Sequence, residues 1–492
     1  MKKFFYSAVL FAVCSSEAMA GGLVTNSNQS ASFLRNPARD AVIDIDGVYT
    51  NPAGVCFMPN GFHLGLTAQH PEQKRIVTTT FPTLALNQNY LGEATRKYTG
   101  TASAPIVPSF QLAYVMDKLT LSASMAVTGG GGKCTFDEGI GSLECLVSTT
   151  PMTAILQLLA ATPDNNPMKP AYQAAASAIS QGKYVYNVDA YMRGRQFYYG
   201  FQVGAGYKIN DNLAVFAGLR TMIGSAKYTG YVKNIKYTSV DDGPTAPYTA
   251  AVIDGINAKA EDMEVTTTQS CVGFTPVIGV DYRLNDQWNF AAKYEFRTKM
   301  NLENSSDMNA AARNQAALDK FNDEKTKYVR DDIPGTFTLG VQYSPIETVR
   351  FNAGFHFYDD CNAKKAKKEV TNADGTKEYV AENKLINHGT REFLFGAEWD
   401  ATKLLTVSAG WQNTHYDLSD AYMSDMVHNL SSNMIVCGVR LHVTEKISVD
   451  LGYMHNFYDK RTVETQVSAG VTKKDVYERK NDAFAVGVNF DF

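Results

Sequence analysis

After its first twenty residues the 492-residue sequence has no run of 18 or more apolar residues, which excludes a membrane-spanning helix from the rest of the chain. The net charge is −4, from 46 basic and 50 acidic residues, and so even a balance removes the electrostatic case for nucleic acid. Catalytic signatures are missing too: there is no His-Glu-x-x-His zinc pair and no Gly-x-Ser-x-Gly nucleophile elbow. The run GGGGKC, Gly129 to Cys134, lacks the earlier glycine of a phosphate loop and has Cys where a magnesium-binding Ser or Thr is needed, so it reads as a flexible strand end. These absences point away from an enzyme, a cofactor or a metal site. Tryptophan is scarce, at three residues, but 27 Tyr and 26 Phe suffice for aromatic girdles at two membrane interfaces.

What is present begins with a leader. Lys2 and Lys3 precede an apolar run from Phe4 to Val13, and Ala18-Met19-Ala20 closes it with the small-x-small pattern of a cleavage site. Residues 1–20 are therefore expected to be a signal peptide and Gly21 the first mature residue. The competing reading, lipidation at Cys14, is disfavoured because Val13 is bulkier than the small residue such a site wants. From Gly61 onward one unit repeats: an alternating run, a tight polar turn, a second alternating run, then a long irregular loop. In WNFAAKYEFRTK, Trp288, Phe290, Ala292, Tyr294 and Phe296 take one face while Asn289, Ala291, Lys293, Glu295, Arg297 and Lys299 take the other. In FNAGFHFYDD the outward set is Phe351, Ala353, Phe355 and Phe357, against Asn352, Gly354, His356 and Tyr358.

This rhythm predicts an all-β fold: a transmembrane antiparallel barrel of about fourteen strands spanning 61–492, preceded by a short plug at 21–60 inside the lumen. The strands are expected near 61–82, 103–116, 119–129, 184–208, 213–238, 263–284 and 288–303, then 333–344, 348–360, 389–399, 404–418, 432–443, 447–464 and 475–492. Tight turns such as Asp117-Lys118 and Asn285-Asp286-Gln287 should face the periplasm, and the long loops the outside. Two loops, 131–183 and 304–331, should be partly helical, because PMTAILQLLAATP places Met152, Ile155, Leu158 and Leu159 at helical spacing and DMNAAARNQAALDKF is rich in helix formers.

Small residues keep the inward parity, among them Gly279, Gly340, Gly354, Gly410, Gly438 and Gly487, and are read as room for a plug or ligand. Cys134 and Cys145 share one predicted external loop and form the candidate disulfide, whereas Cys271 and Cys437 read as wall residues. Scattered histidines, including His63, His415, His442 and His455, fall on different strands and read as wall or solvent residues. By strand parity Arg220, Lys293, Glu295, Arg297, His356, Glu398, Arg440 and Asp450 point into the lumen. Most should pair with one another, yet Arg220, Lys293, Arg297, His356 and Arg440 are also the candidates to hold the head of an otherwise apolar ligand.

The segment between leader and barrel contains Ala41-x-x-Asp44, Asp46-Gly47 and Asn51-Pro52-Ala53-Gly54. With the fourteen strands, the helical loops and DIPGTFTLGVQYSP, it resembles the FadL/TodX family of outer-membrane long-chain fatty-acid and hydrocarbon transporters across the mature chain. The resemblance implies a multi-pass protein of the Gram-negative outer membrane. Such a protein is inserted by the barrel-assembly machinery, lies among outer-membrane lipid and lipopolysaccharide, and takes up long-chain fatty acids or other hydrophobic small molecules passively when ligand shifts the hatch. Only Asn51, Pro52 and Ala53 carry over as hatch motif. The family's side opening depends on a kink in the third strand, and LTLSASMAVT contains neither Gly nor Pro to mark one. A general diffusion porin, a haem or nutrient receptor and a surface adhesin are the alternatives.

Overall fold

The computed structural model describes residues 23–308, 328–371, 376–468 and 471–492. The proposed leader and all but the first two residues of Asp307 to Phe321 lie outside these.

Alternation along each run builds one closed antiparallel sheet. Its strands are β1 (Gly61–Thr80), β2 (Thr95–Ser103, then Val107–Met116), β3 (Leu119–Phe136), β4 (Tyr184–Lys208), β5 (Leu213–Ser239), β6 (Met263–Arg283) and β7 (Trp288–Glu295, then Asn301–Met308). The second half adds β8 (Tyr328–Arg330, then Thr336–Ile346), β9 (Val349–Tyr358), β10 (Ile386–Thr402), β11 (Leu405–Leu418), β12 (Ser432–Thr444), β13 (Ile447–Tyr458, then Arg461–Ser468) and β14 (Val471–Asp491). Closure comes from β1 against β14, running from His63 opposite Asp491 to Thr80 opposite Lys474, so the sheet has no free end strand. On β6, Val272, Phe274, Ile278, Val280 and Tyr282 are exposed on the outer wall, while Cys271, Thr275, Val277 and Asp281 are buried inside. Period-two patterning thus has an apolar outside and a largely polar inside, the reverse of a soluble sandwich.

Most strand bounds fall within a few residues of the sequence expectation, and two differ most. β2 starts at Thr95, and Ala104-Pro105-Ile106 interrupts it where the proline has no N–H to give the ladder. β3 runs past 129 to Phe136 with Gly129 to Gly132 inside it, so GGGGKC is not a strand end.

The outer loops carry α3 (Gly141–Ala161, with Pro151 inside) and α4 (Lys169–Ser180); a third helix, α5 (Ala246–Asn257), was not anticipated. They cap an apolar cluster of Tyr98, Phe136, Tyr184, Tyr228, Tyr237 and Tyr477 at the barrel mouth. Glu144 fixes α3 to the rim, accepting from Asn87, Arg96, Tyr98 and Tyr186. The Cys134–Cys145 bridge is absent: both are buried thiols, Cys134 on β3 among that cluster and Cys145 on α3 beside Phe81 and Leu84. The bridge rested on a shared loop, and the extension of β3 puts the two residues on different elements.

Candidate functional site

Residues 23 to 58 lie inside the barrel and touch its wall around the circumference. They contain two short helices, α1 (Ala31–Arg35), capped by Ser30 Oγ accepting from Phe33 N, and α2 (Gly47–Thr50). Hydrophobic burial alone does not hold this hatch, because its wall is polar. Arg39 pairs with Asp46 (2.7 Å), Asp44 (2.9 Å) and Glu398 on β10 (3.3 Å). Arg35 reaches Asp450 on β13 (2.8 Å), and Arg440 on β12 reaches both Asp44 and Asp450 at 2.8 Å. Burial alone would raise the Asp44 carboxyl, but the Arg440 and Arg39 guanidiniums outweigh it and hold it down at about 2. Asp40 accepts from His356 on β9, whose other ring nitrogen meets Glu392 on β10, both at 2.9 Å.

The Asn-Pro-Ala motif has a mechanical reading. Asn51 Nδ2 donates to Asp281 on β6 (2.6 Å) while its Oδ1 accepts from Gly54 N (3.2 Å), which ties the turn to the wall. Pro52 packs over Gly279, and Ala53 fills a niche between Phe216 and Val277. The inward glycines form the bed of this hatch. A Cβ at Gly340 would stand 2.6 Å from the Ala41 nitrogen, one at Gly410 2.4 Å from Pro37, and one at Gly487 2.8 Å from Ala31.

Next to the hatch the wall opens. β2 and β3 pair from Met116 opposite Leu119 up to Phe110 opposite Met125, then again only at Thr101–Thr135 and Gly100–Phe136. Between these, Gly130 (φ +91°) and Gly132 (φ +67°) kink β3 and its register against β4 slips twice. The hatch takes the vacated edge: Asn26 N donates to Thr128 O (2.9 Å) and Gly130 N to Val24 O (3.1 Å). Asn26, Gln73, Ala104, Val127, Lys133 and Phe197 are among the residues lining the resulting side cavity of about 50 Å³.

A second, central cavity of about 40 Å³ lies between the hatch and the wall of β5 to β9. Phe33, Pro37, Met222 and Ile333 give it apolar surface, and Arg220, Lys293, Glu295 and His356 give it charge. Arg220 pairs with Glu295, as does Lys293 (2.9 Å), so two cations face one carboxylate. Both also sit over the ring of hatch residue Tyr49, 4.6 and 4.7 Å from its centre, and Lys293 Nζ donates to the Tyr49 carbonyl (2.8 Å). The charged head site and the hatch therefore share a residue.

The outer end of the lumen is covered by the connection between β11 and β12. Met426, Val427 and Leu430 are buried in the tyrosine cluster. Arg75 Nη1 donates to Met426 O (2.6 Å), Ser142 N and Oγ to Asp425 (2.8 and 2.6 Å), and Lys368 Nζ to Tyr422 O (2.8 Å).

With this geometry in view, the family model described as outer membrane protein transport protein (OMPP1/FadL/TodX) matches residues 197–492. The chain belongs to this family. No curated protein matches it. Among solved structures, a Pseudomonas aeruginosa FadL homologue superposes with a TM-score of 0.64 at 12% identity, covering 96% of this chain and 100% of its own. The Pseudomonas putida toluene transporter TodX gives 0.55 at 11% identity (91% and 94% covered), and the Ralstonia pickettii toluene transporter TbuX 0.54 at 11% (95% and 99%). At such identities the likeness is one of fold.

As a FadL/TodX member, the chain is a hydrophobic-compound transport protein of the Gram-negative outer membrane. Of the five candidate head-group residues, Arg220, Lys293 and His356 line the central cavity. Arg440 serves the hatch network instead. Arg297 is not a lumen residue: β7 breaks after Glu295, parity is lost, and its half-exposed side chain donates to Asn362 O (2.8 Å). Sequence reasoning passed over Arg35, Arg39 and Asp281. Two arginines four apart in a buried apolar stretch, and an acid at inward parity on β6, were the available signals.

Proposed function

We propose that the protein admits apolar small molecules with a single polar head, long-chain fatty acids foremost, by passive, ligand-gated passage. The ligand enters under the outer loops, lodges in the central cavity as displacement of the hatch enlarges it, and leaves sideways through the β2–β3 gap. The carrying observation is that hatch and connection obstruct the barrel along its axis while its wall is unpaired at the side. An axial aqueous path would serve ions and sugars, whereas a lateral one delivers an apolar solute to the bilayer without crossing water. Arg220 and Lys293 share the one carboxylate of Glu295, which leaves two cations with donors for a ligand carboxylate. A carboxylate there competes with Tyr49 for both cations, and this loosens the hatch.

The test replaces Gly129 to Gly132 with Thr-Val-Thr-Val to straighten β3. Uptake of a fluorescent long-chain fatty acid by whole cells is expected to fall at least tenfold while equilibrium binding to the purified protein persists. Undiminished uptake sinks the lateral route. A steady ion conductance in planar bilayers that fatty acid does not block points to a general pore instead. TodX and TbuX take toluene, so the same assay with toluene decides whether a head group is required.

A further inference from the structure

The outer wall carries a row of cations that neither the cavities nor the hatch uses. Lys133 on β3 lies directly opposite Arg195 on β4, and Arg195 directly opposite Lys227 on β5. All three side chains are exposed, and Arg193 adds a fourth cation on the same face of β4. Opposed residues on antiparallel strands are only about 5 Å apart, and like charges so placed repel one another. Nothing compensates them among the described residues, where none of the four forms an ion pair or hydrogen bond. Of the carboxylates along these strands, Asp189 is engaged with Asn234 and Glu264 with Lys233, and Asp137 and Glu138 follow the end of β3, beyond the row.

Their depth is informative. Outward residues on β4 run Tyr207, Val203, Phe201, Tyr199 and Phe197 before reaching Arg195. Ten residues at about 3.3 Å each, tilted near 40°, rise about 25 Å, the height of the apolar band of such barrels. β5 agrees, with Val215, Leu219 and Ile223 below Lys227. The cation row thus begins where hydrocarbon ends, on the side of the long loops, which is the outer leaflet. Phe197 and Tyr199 stack just below it and Tyr191 and Tyr231 just above.

We propose that Lys133, Arg193, Arg195 and Lys227 bind the phosphorylated sugar headgroup of an outer-leaflet glycolipid. Phosphate supplies the negative charge that relieves the opposed cations, the aromatic column of β4 receives acyl chains, and the Tyr191–Tyr231 pair walls the sugar from above. Lys133 also lines the β2–β3 side cavity, so the bound headgroup stands at its rim.

The experiment measures binding of a bisphosphorylated lipid A-type glycolipid and its dephosphorylated form to the purified full-length protein in mild detergent. Three proteins are compared: wild type, K133Q/R195Q/K227Q, and the charge-keeping K133R/R195K/K227R. Wild type is expected to bind the phosphorylated form at least tenfold more tightly, the glutamine variant to lose that preference and the charge-keeping variant to retain it. Equal binding of both glycolipids by wild type overturns the proposal, as does an undiminished preference in the glutamine variant or full displacement by millimolar inorganic phosphate. The wild-type comparison stands even if a variant fails to fold.

Discussion

Single glycines decide whether the lumen can hold its hatch. At Gly340 the three atoms nearest to an added Cβ all belong to Asp40 and Ala41 of the hatch, so the hatch meets a larger residue first. Gly340→Val is expected to leave the barrel folded and to displace the hatch, read as faster proteolysis within residues 23–60 against an unchanged sheet signal by circular dichroism. Arg220 and Arg297 make a matched pair at the same scale, one buried in the central cavity and one half-exposed outside it. Arg220→Gln is expected to weaken binding of a long-chain carboxylate about tenfold more than that of its alcohol, near the roughly 1.4 kcal/mol of one charge-assisted contact. Arg297→Ala should change neither. Equal losses for acid and alcohol in Arg220→Gln would remove the carboxylate site.

Among the elements, the connection from β11 to β12 has a seating that depends on pH near neutrality. His428 is buried in it against Tyr477, with Nδ1 facing Ser424 O (3.2 Å). Burial first, then the guanidiniums of Arg75 and Arg479, press its imidazole down to about 3, with Asp425 opposing weakly. A released connection restores an ordinary histidine near 6.5, so protons favour release. Seating is complete above about pH 6.5 and weakens by roughly tenfold per unit as pH falls below it, until about pH 3. The protection factors of amides over residues 420–431, which correct exchange for its intrinsic pH dependence, are expected to fall between pH 7 and pH 5 in wild type and to stay constant in His428→Gln. A flat wild-type profile would show that the imidazole stays neutral on release.

At the scale of the whole molecule, barrel and hatch are unequal partners. The barrel closes through backbone pairing of β1 with β14, and the hatch adds backbone hydrogen bonds to it at the kinked edge of β3, whereas the hatch is held by buried ion pairs to wall residues distant in sequence. Deleting residues 21–50 is expected to leave a barrel that resists unfolding in unheated detergent gels and to raise passage of small polar solutes through the emptied lumen. Failure of the barrel to form would make the segment a folding element instead. The Asp44 carboxyl adds a direction: its depressed ionisation gives hatch seating a contribution present above about pH 3.8 and lost as pH falls through 2.

The alternation of residues by itself determined the membrane barrel, its fourteen strands, the inner and outer faces and the inward place of Arg220, Lys293 and His356, because period two is a local rule that each strand obeys alone. Hatch length was legible for the same reason, as a stretch where the rule is absent, and its Asn51-Pro52-Ala53 motif through the family resemblance. Only the tertiary structure decided the ends of β2 and β3, the opening between them, the loss of parity at Arg297 and the separation of Cys134 from Cys145. Each depends on which backbone groups find partners across the sheet. A glycine run reads alike as a strand end or a kink until the neighbouring strand, and here the hatch, fixes where its hydrogen bonds go.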